Sequence, residues 1–334
     1  MKELIKNLTE TYGPSGNEEK IREAIIEEIK GYADEYRVDA MGNLIAIKRA
    51  KGDKQPLKVM LAAHMDEIGV IVTHIDEKGF LRFAPIGGVN PLTLLGNRAV
   101  FADGLIGTFG LEKRESPEEL PKIEKMYLDV GAVGKESVPV KIGDVASFHR
   151  PFVDLGQRLM AKAFDDRIGC AVLIQTLWEL EETPHEVYFV FTVQEEVGLR
   201  GATTSAYGIE PDLAIAVDVT ATGDTPEART MAVSLGEGPA IKVKDRRMLA
   251  HPGVRDLLVE TAEELGIPYQ LEVLELGTTD ATAMQVSRAG VPTGVISIPS
   301  RYVHTPSEMV DYNDVLNGVK LLKAVLTRPL ADKV

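Results

Sequence analysis

Leu57-Lys58-Val59-Met60-Leu61-Ala62-Ala63 is an apolar run that stops abruptly at the polar His64-Met65-Asp66-Glu67, and that change of character decides the fold. With Asn43-Leu44-Ile45-Ala46-Ile47, from which the polar turn Lys51-Gly52-Asp53 separates it, the run reads as a pair of strands. Upstream, Ser15 and Glu18 have the spacing of a capping box, so a helix is expected to start near Asn17. Ile21, Ile25 and Ile29 lay one apolar stripe along it. Downstream, from Gly69 to about Phe152, short Val-, Ile- and Phe-rich strands are cut by turns such as Asp76-Glu77-Lys78-Gly79 and Pro85-Ile86-Gly87-Gly88. That texture predicts a small all-β barrel or sandwich, with the charged stretch Glu112 to Lys125 as an exposed loop or short helix inside it.

After Gly156 helix and apolar strand alternate again. Helices are expected over 167–180, 254–265, 281–289 and 313–326, and strands over 187–193, 213–217, 269–274 and 294–298. Such alternation builds an α/β sheet that is mostly parallel, with flanking helices. The simplest organisation is a discontinuous α/β domain from residues 1–68 and 157–334, with a β domain of residues 69–156 inserted into it.

Composition sets the outer limits. The chain has 334 residues, 44% hydrophobic and 26% charged, which suits a globular protein and argues against long disordered tracts. Lys plus Arg is 37 against 51 for Asp plus Glu, a net charge of −14, so nucleic acid and anionic membrane are disfavoured as partners. Cys170 is the single cysteine: no intramolecular disulfide can form, and a reducing, cytoplasmic setting fits. The start Met1-Lys2-Glu3-Leu4-Ile5-Lys6 reads as cytoplasmic sequence without a secretory signal, and no apolar run is long enough to cross a bilayer. The Asn7-Leu8-Thr9 sequon then reads as chance.

Ligands of open α/β sheets bind at the carboxyl ends of strands. Polar residues collect there: His64-Met65-Asp66-Glu67 after Ala63, Gln194-Glu195-Glu196 after Val193, Asp218 after Val217, and Arg301-Tyr302-Val303-His304 after Ile298, with Asp165-Asp166 just before a helix. Imidazoles with several carboxylates form a ligand set for zinc, cobalt or manganese. So many acids suit two cations about 3.5–4 Å apart that share a carboxylate, the arrangement that activates water and polarises a carbonyl or phosphoryl oxygen. Asp66 is placed to hold the His64 ring in one tautomer. Glu195 and Glu196, pointing apart if extended, divide the work: one binds metal and the other faces the attacking water.

The ordered motifs His64-Met65-Asp66-Glu67-Ile68-Gly69, Ala163-Phe164-Asp165-Asp166-Arg167-Ile168-Gly169, Glu195-Glu196-Val197-Gly198 with Gly201-Ala202, Asp218-Val219-Thr220, and Ser297-Ile298-Pro299 with Arg301-Tyr302-Val303-His304-Thr305-Pro306 closely resemble the tetrahedral aminopeptidase family over essentially the whole chain. That family comprises dinuclear-metal aminopeptidases of glutamyl and deblocking types, and some relatives carry an endoglucanase label. The resemblance implies a zinc-peptidase-like catalytic domain and two divalent cations, zinc or cobalt. It implies that His64 and Asp218 bind one metal, Glu196 and His304 the other, and Asp165 both; that Glu195 is the general base; and that Asp66 orients His64. It further implies peptide substrates, cleaved at the amino-terminal residue, and a β insert that dimerises, six dimers making a hollow homododecamer.

Rival readings are a metal-dependent amidohydrolase or carboxypeptidase on the same scaffold, a glycosidase, and a non-catalytic assembly. A glycosidase needs two facing carboxylates about 5–9.5 Å apart and leaves the histidines without work. Neither G-x-G-x-x-G, G-x-x-x-x-G-K-[ST] nor G-x-S-x-G occurs, which removes support for nucleotide binding and serine hydrolysis. Asp166 and Arg167 read as a helix cap or ion pair, Asp280 as a helix N-cap, and Cys170 as core. His74, His149, His185 and His251 lack carboxylate company and read as structural or exposed.

Overall fold

A computed structural model describes residues 1–52, 56–114, 116 and 118–330. Asp53 of the expected turn and Pro117 of the charged stretch lie outside them. The chain opens with α1 (Lys2–Glu10) and α2 (Glu19–Ile29), followed by β1 (Glu35–Val38), β2 (Leu44–Lys48) and β3 (Lys58–His64). Then come β4 (Gly69–Ile75), β5 (Leu81–Ile86), β6 (Arg98–Phe101), β7 (Ile106–Leu111), β8 (Met126–Asp129) and β9 (Val145–Phe148), which close into a barrel in the order β4-β5-β8-β7-β6-β9. Ile123–Lys125, at the end of the charged stretch, forms a short 3-10 turn.

The chain returns through β10 (Val153–Asp154), β11 (Arg158–Ala161), α3 (Phe164–Glu179), β12 (Glu186–Thr192), α4 (Arg200–Ile209) and β13 (Leu213–Thr220). It ends with β14 (Ala240–Lys244), α5 (Pro252–Leu265), β15 (Gln270–Val273), α6 (Asp280–Gln285), β16 (Thr293–Arg301), β17 (Glu308–Asp311) and α7 (Tyr312–Leu326). These strands form one sheet in the order β1-β2-β12-β3-β13-β16-β17-β11-β10, with β14 on β16 and β15 on β14. Strands β12, β3, β13 and β16 run parallel at its centre, and antiparallel strands extend both flanks. The fold is therefore a mixed α/β sheet with flanking helices and an inserted closed β-barrel.

Alternation along the central strands separates the two faces. Val59, Leu61 and Ala63 of β3, with Leu213, Ile215 and Val217 of β13, pack in the larger core beneath α1, α2, α3, α5 and α7. Met60 and Ala62, with Ala214 and Ala216, meet the alanine-rich faces of α4 and α6 in a thinner core. His64 and Asp218 continue the second series by parity, so both strand ends aim functional groups at the same side. A separate cluster including Phe83, Phe109 and Phe148 fills the barrel.

Three local expectations are corrected. The capping box does not form: α2 starts at Glu19, while Ser15 Oγ donates to Asp66 Oδ2 at 2.6 Å and Glu18 accepts from the Gly16 N–H. A buried long-range carboxylate outcompetes the local cap. The cap of α6 is Thr279, whose hydroxyl accepts the Ala281 N–H; Asp280 is the first helical residue and accepts from Thr192 Oγ1. Arg167 makes no pair with Asp166. Its buried guanidinium donates to the carbonyls of Leu8 (2.6 Å), Thr11 (3.0 Å) and Gly13 (3.2 Å), and lies 3.5 Å from Glu67, which Lys162 also engages at 2.6 Å.

This network ties the amino-terminal segment to the strand that leads into the barrel. Arg167→Met is expected to destabilise the fold by about 3 kcal/mol, since it removes one partner of a buried charge and leaves carbonyls without donors. A shift of the urea midpoint at unchanged slope checks this. A loss below about 1 kcal/mol contradicts it.

Candidate active site

The carboxyl end of β3 carries His64, which lies opposite Thr192 of β12. Its Nδ1 is 3.1 Å from the Asp66 carbonyl oxygen and 3.5 Å from Asp66 Oδ1, both acceptors. Both ring nitrogens of His64 therefore face acceptors, Nδ1 toward Asp66 and Nε2 toward Asp165 at 2.9 Å, and against the cost of burial the surrounding carboxylates push the imidazole well up. Asp66 does more than face the ring. Its Oδ1 accepts the Glu195 N–H at 3.0 Å, and its Oδ2 accepts from Ser15 and from the Glu196 N–H at 3.3 Å. One buried carboxylate thus locates both His64 and the turn that carries Glu195 and Glu196.

Asp165, at the start of α3, receives the two imidazoles on opposite oxygens. His64 Nε2 is 2.9 Å from Oδ1, and His304 Nε2 is 3.1 Å from Oδ2. His304 Nε2 is also 3.2 Å from Glu196 Oε1, and His64 Nε2 is 3.9 Å from Glu195 Oε2. His64, Asp165 and Glu196 offer ligand atoms all within 4.8 Å of one another, as do His64, Asp166 and Asp218. All seven expected site residues are thereby placed: Asp165, Glu195, Glu196 and His304 converge on His64 or on each other, Asp66 stands behind the ring, and Asp218 approaches from β13. Asp166 keeps its cap role, because its two oxygens accept the Gly169 (3.0 Å) and His64 (3.1 Å) N–H groups.

The electrostatics favour a cation. Burial pushes the Glu195, Glu196 and Asp218 carboxyls up, and mutual repulsion adds to it: Asp218 and Glu196 act on Glu195, and Asp165 acts on Glu196 and Asp218. Burial opposes the His304 imidazolium, yet Asp165 and Glu196 hold it up at about 12. Burial also works against the charge on Asp165, but His304 and His64 bring its carboxyl down. Glu196 Oε1 is buried without a hydrogen-bond donor. That oxygen has the His304 ring for company at 3.2 Å, and a cluster of buried carboxylates with imidazoles whose protons those carboxylates hold fits a divalent metal ion by donor type and by charge.

The backbone is held in unusual conformations around this cluster. Ala163, Gln194, Tyr302 and His304 have φ of 56°, 54°, 61° and 63°. Non-glycine residues in this region cost about 1–3 kcal/mol each and persist where surroundings over-determine them.

Two contributors escaped the sequence reading. The turn Gly87-Gly88 reaches in from the barrel: the Gly88 carbonyl is 3.2 Å from His304 Nδ1, which fixes Nε2 toward Asp165. A Cβ on Gly88 would stand 2.4 Å from His304 Nδ1, and one on Gly87, whose φ is +73°, would stand 3.0 Å from Glu196 Oε2. The Gly-Gly pair was itself the signal, since two adjacent glycines permit a backbone approach as well as a turn. The other is Glu308, whose Oε2 accepts the Asp165 N–H at 3.0 Å and Oε1 the His304 N–H at 2.8 Å. Burial and the charge of Asp165 push its carboxyl up, while the two amide hydrogen bonds and the His304 charge favour its ionised form.

The remaining candidates stay outside the cluster. His74 lies in β4, His185 approaches the Arg328 carbonyl at 2.7 Å, and His251 precedes α5. Cys170 is buried, and that burial pushes its thiol well up, as suits a core residue.

The model of the M42 glutamyl aminopeptidase family matches residues 42–321. The chain belongs to this family. It is 53% identical over 324 residues to a putative aminopeptidase of Acetivibrio thermocellus, covering 96% of this chain and 97% of that one. An aminopeptidase of the archaeon Desulfurococcus kamchatkensis superposes with a TM-score of 0.93 at 43% identity, over 98% of this chain and 94% of its own. The Pyrococcus horikoshii TET1 peptidase, described as assembling into a tetrahedron or a large octahedral shell, superposes with a TM-score of 0.88 at 36% identity, over 98% and 99%. As an M42 protein the chain is a metal-dependent aminopeptidase, a hydrolase acting on peptide bonds. No helix among its described residues is long and apolar enough to cross a membrane.

Proposed function

We propose that the protein removes amino-terminal residues from peptides with two divalent cations, zinc or cobalt, held by His64 and Asp218 on one side, by Glu196 and His304 on the other, and by Asp165 between them. The observation that carries this reading is the single carboxylate of Asp165 flanked by two imidazole nitrogens, 2.9 Å from Oδ1 and 3.1 Å from Oδ2. When bound, the cations supply the positive field that acidifies a water and polarises the scissile carbonyl. Glu195 takes the proton of the attacking water at its carboxylate and returns it to the leaving amine. Burial and the neighbouring Asp218 and Glu196 charges raise its basicity for that exchange. Asp66 holds the Glu195 and Glu196 amides and the His64 ring in register with one another.

The module of residues 69–156 serves as the dimerisation unit in this proposal, the catalytic unit being residues 1–68 and 157–334, and dimers build a homododecamer that admits peptides. The tetrahedral assembly described for the Pyrococcus horikoshii relative supports the self-association. One buried cysteine supports a cytoplasmic setting, and a net charge of −14 argues against nucleic acid as a partner.

The test is hydrolysis of a panel of amino-acid p-nitroanilides by metal-stripped protein, with and without added cobalt or zinc, beside amino-blocked controls. Cleavage that returns with metal and only for free-amine substrates is expected. Equal cleavage of blocked compounds overturns the amino-terminal reading, and full activity in chelator overturns the metal reading.

A further inference from the structure

We infer that Glu308 is a positioning residue for the metal centre: its one carboxylate accepts the backbone N–H groups of both Asp165 and His304 and so sets the separation of the two segments that carry them. The inference rests on the reading of Asp165 and His304 as ligands. Asp165 follows β11 and His304 follows β16, segments that no covalent neighbour relation keeps together, and Glu308 lies 143 residues from the first and 4 from the second. Pairing of Glu308 with Ala161 fixes the base of its side chain at the junction of β17 and β11. From there the two oxygens reach one amide each, at 3.0 and 2.8 Å.

Both amides sit where the chain leaves regular structure. Asp165 has non-helical backbone angles at the start of α3, just after the left-handed Ala163 (φ 56°), and His304 is itself left-handed (φ 63°), so neither amide is held by a helix or strand ladder. At 2% exposure Glu308 is shielded from water that could substitute for it. The carboxylate is the chemistry that fits: two N–H donors converge on one side chain, and only a group with two acceptor atoms satisfies both. The charge of the buried Lys162 ammonium, next along the chain from Ala161, bears on the same carboxylate and on Glu67. The geometry assigns Glu308 a task apart from ligation and proton transfer, namely keeping His304 Nε2 and Asp165 Oδ2 at the distance a shared cation requires.

Two substitutions separate this from a general contribution to folding. Glu308→Gln has the same shape but one acceptor, and its amide NH2 meets the second N–H donor to donor. Glu308→Asp keeps two acceptors but is a methylene too short to reach both amides. The experiment is calorimetric titration of cobalt into metal-stripped protein, with circular dichroism of the metal-free forms and His304→Ala as a control.

Native dichroism with cobalt affinity about 10- to 100-fold below wild type in both variants is expected. Wild-type affinity in either folded variant overturns the inference, as does loss of native dichroism in both without metal, which makes Glu308 a folding residue. Wild-type cobalt affinity in His304→Ala instead overturns the ligand reading itself, so the two failures are distinguishable.

Discussion

Glu195→Gln is expected to lower kcat by about 10³-fold while cobalt or zinc content stays at the wild-type value. The amide keeps the size of the carboxylate, and the backbone N–H of residue 195 still donates to Asp66, so the turn that carries Glu196 is undisturbed. What is lost is the capacity to take up a proton. Glu195 suits that task because burial and the charges of Asp218 and Glu196 push its carboxyl toward the neutral form, which makes the ionised form a stronger base. Its Oε2 stands 3.9 Å from His64 Nε2, farther than the Asp165 oxygen at 2.9 Å. A fall in kcat at similar KM is the signature of a contact made in the transition state. Turnover within tenfold of wild type sinks the assignment of Glu195 as base.

The residues that were legible share one property: each ends or succeeds a strand whose apolar pattern is local. His64, Glu195, Glu196 and Asp218 come after runs that can be read from neighbours alone, and the parity of β3 and β13 then puts His64 and Asp218 on one face. The barrel was legible because its strands are short, apolar and closely punctuated. The hidden features depend on contacts between distant segments. Ser15 lies 51 residues from Asp66, and Gly88 lies 216 from His304, so no window of sequence holds both partners.

The Ser15–Glu18 pattern misled for the same reason: the local cap was available, but a buried carboxylate needed the hydroxyl more. Asp280 shows the converse, a good capping residue displaced by one position because Thr279 caps and Thr192 claims its carboxylate. Strand β1 left no apolar alternation to read, since its four residues are all exposed. Buried Lys242 in β14, paired with Glu272, likewise breaks the pattern by which a buried strand is found.

Asp165→Asn carries the second large expectation. The side chain keeps its volume and its N–H still donates to Glu308, so the metal-free fold is expected to survive. The charge shared by His64 and His304 disappears, and an amide offers one oxygen where the carboxylate offered two. Lewis-acid assistance of this kind is worth several kcal/mol, so turnover is expected to fall on the order of 10³-fold or more. Activity alone does not separate a lost cation from a misplaced base, and thermal denaturation does. A ligand that binds only the folded state raises its stability with concentration over dissociation constant, so cobalt is expected to raise the melting temperature of the wild type and of Glu195→Gln alike. In Asp165→Asn that rise is expected to shrink, because the carboxylate proposed to be shared by both cations is gone. A full cobalt-induced rise in Asp165→Asn overturns the shared-ligand assignment, and would move the common ligand to another acid of the cluster, with Asp218 or Glu196 next in line by position.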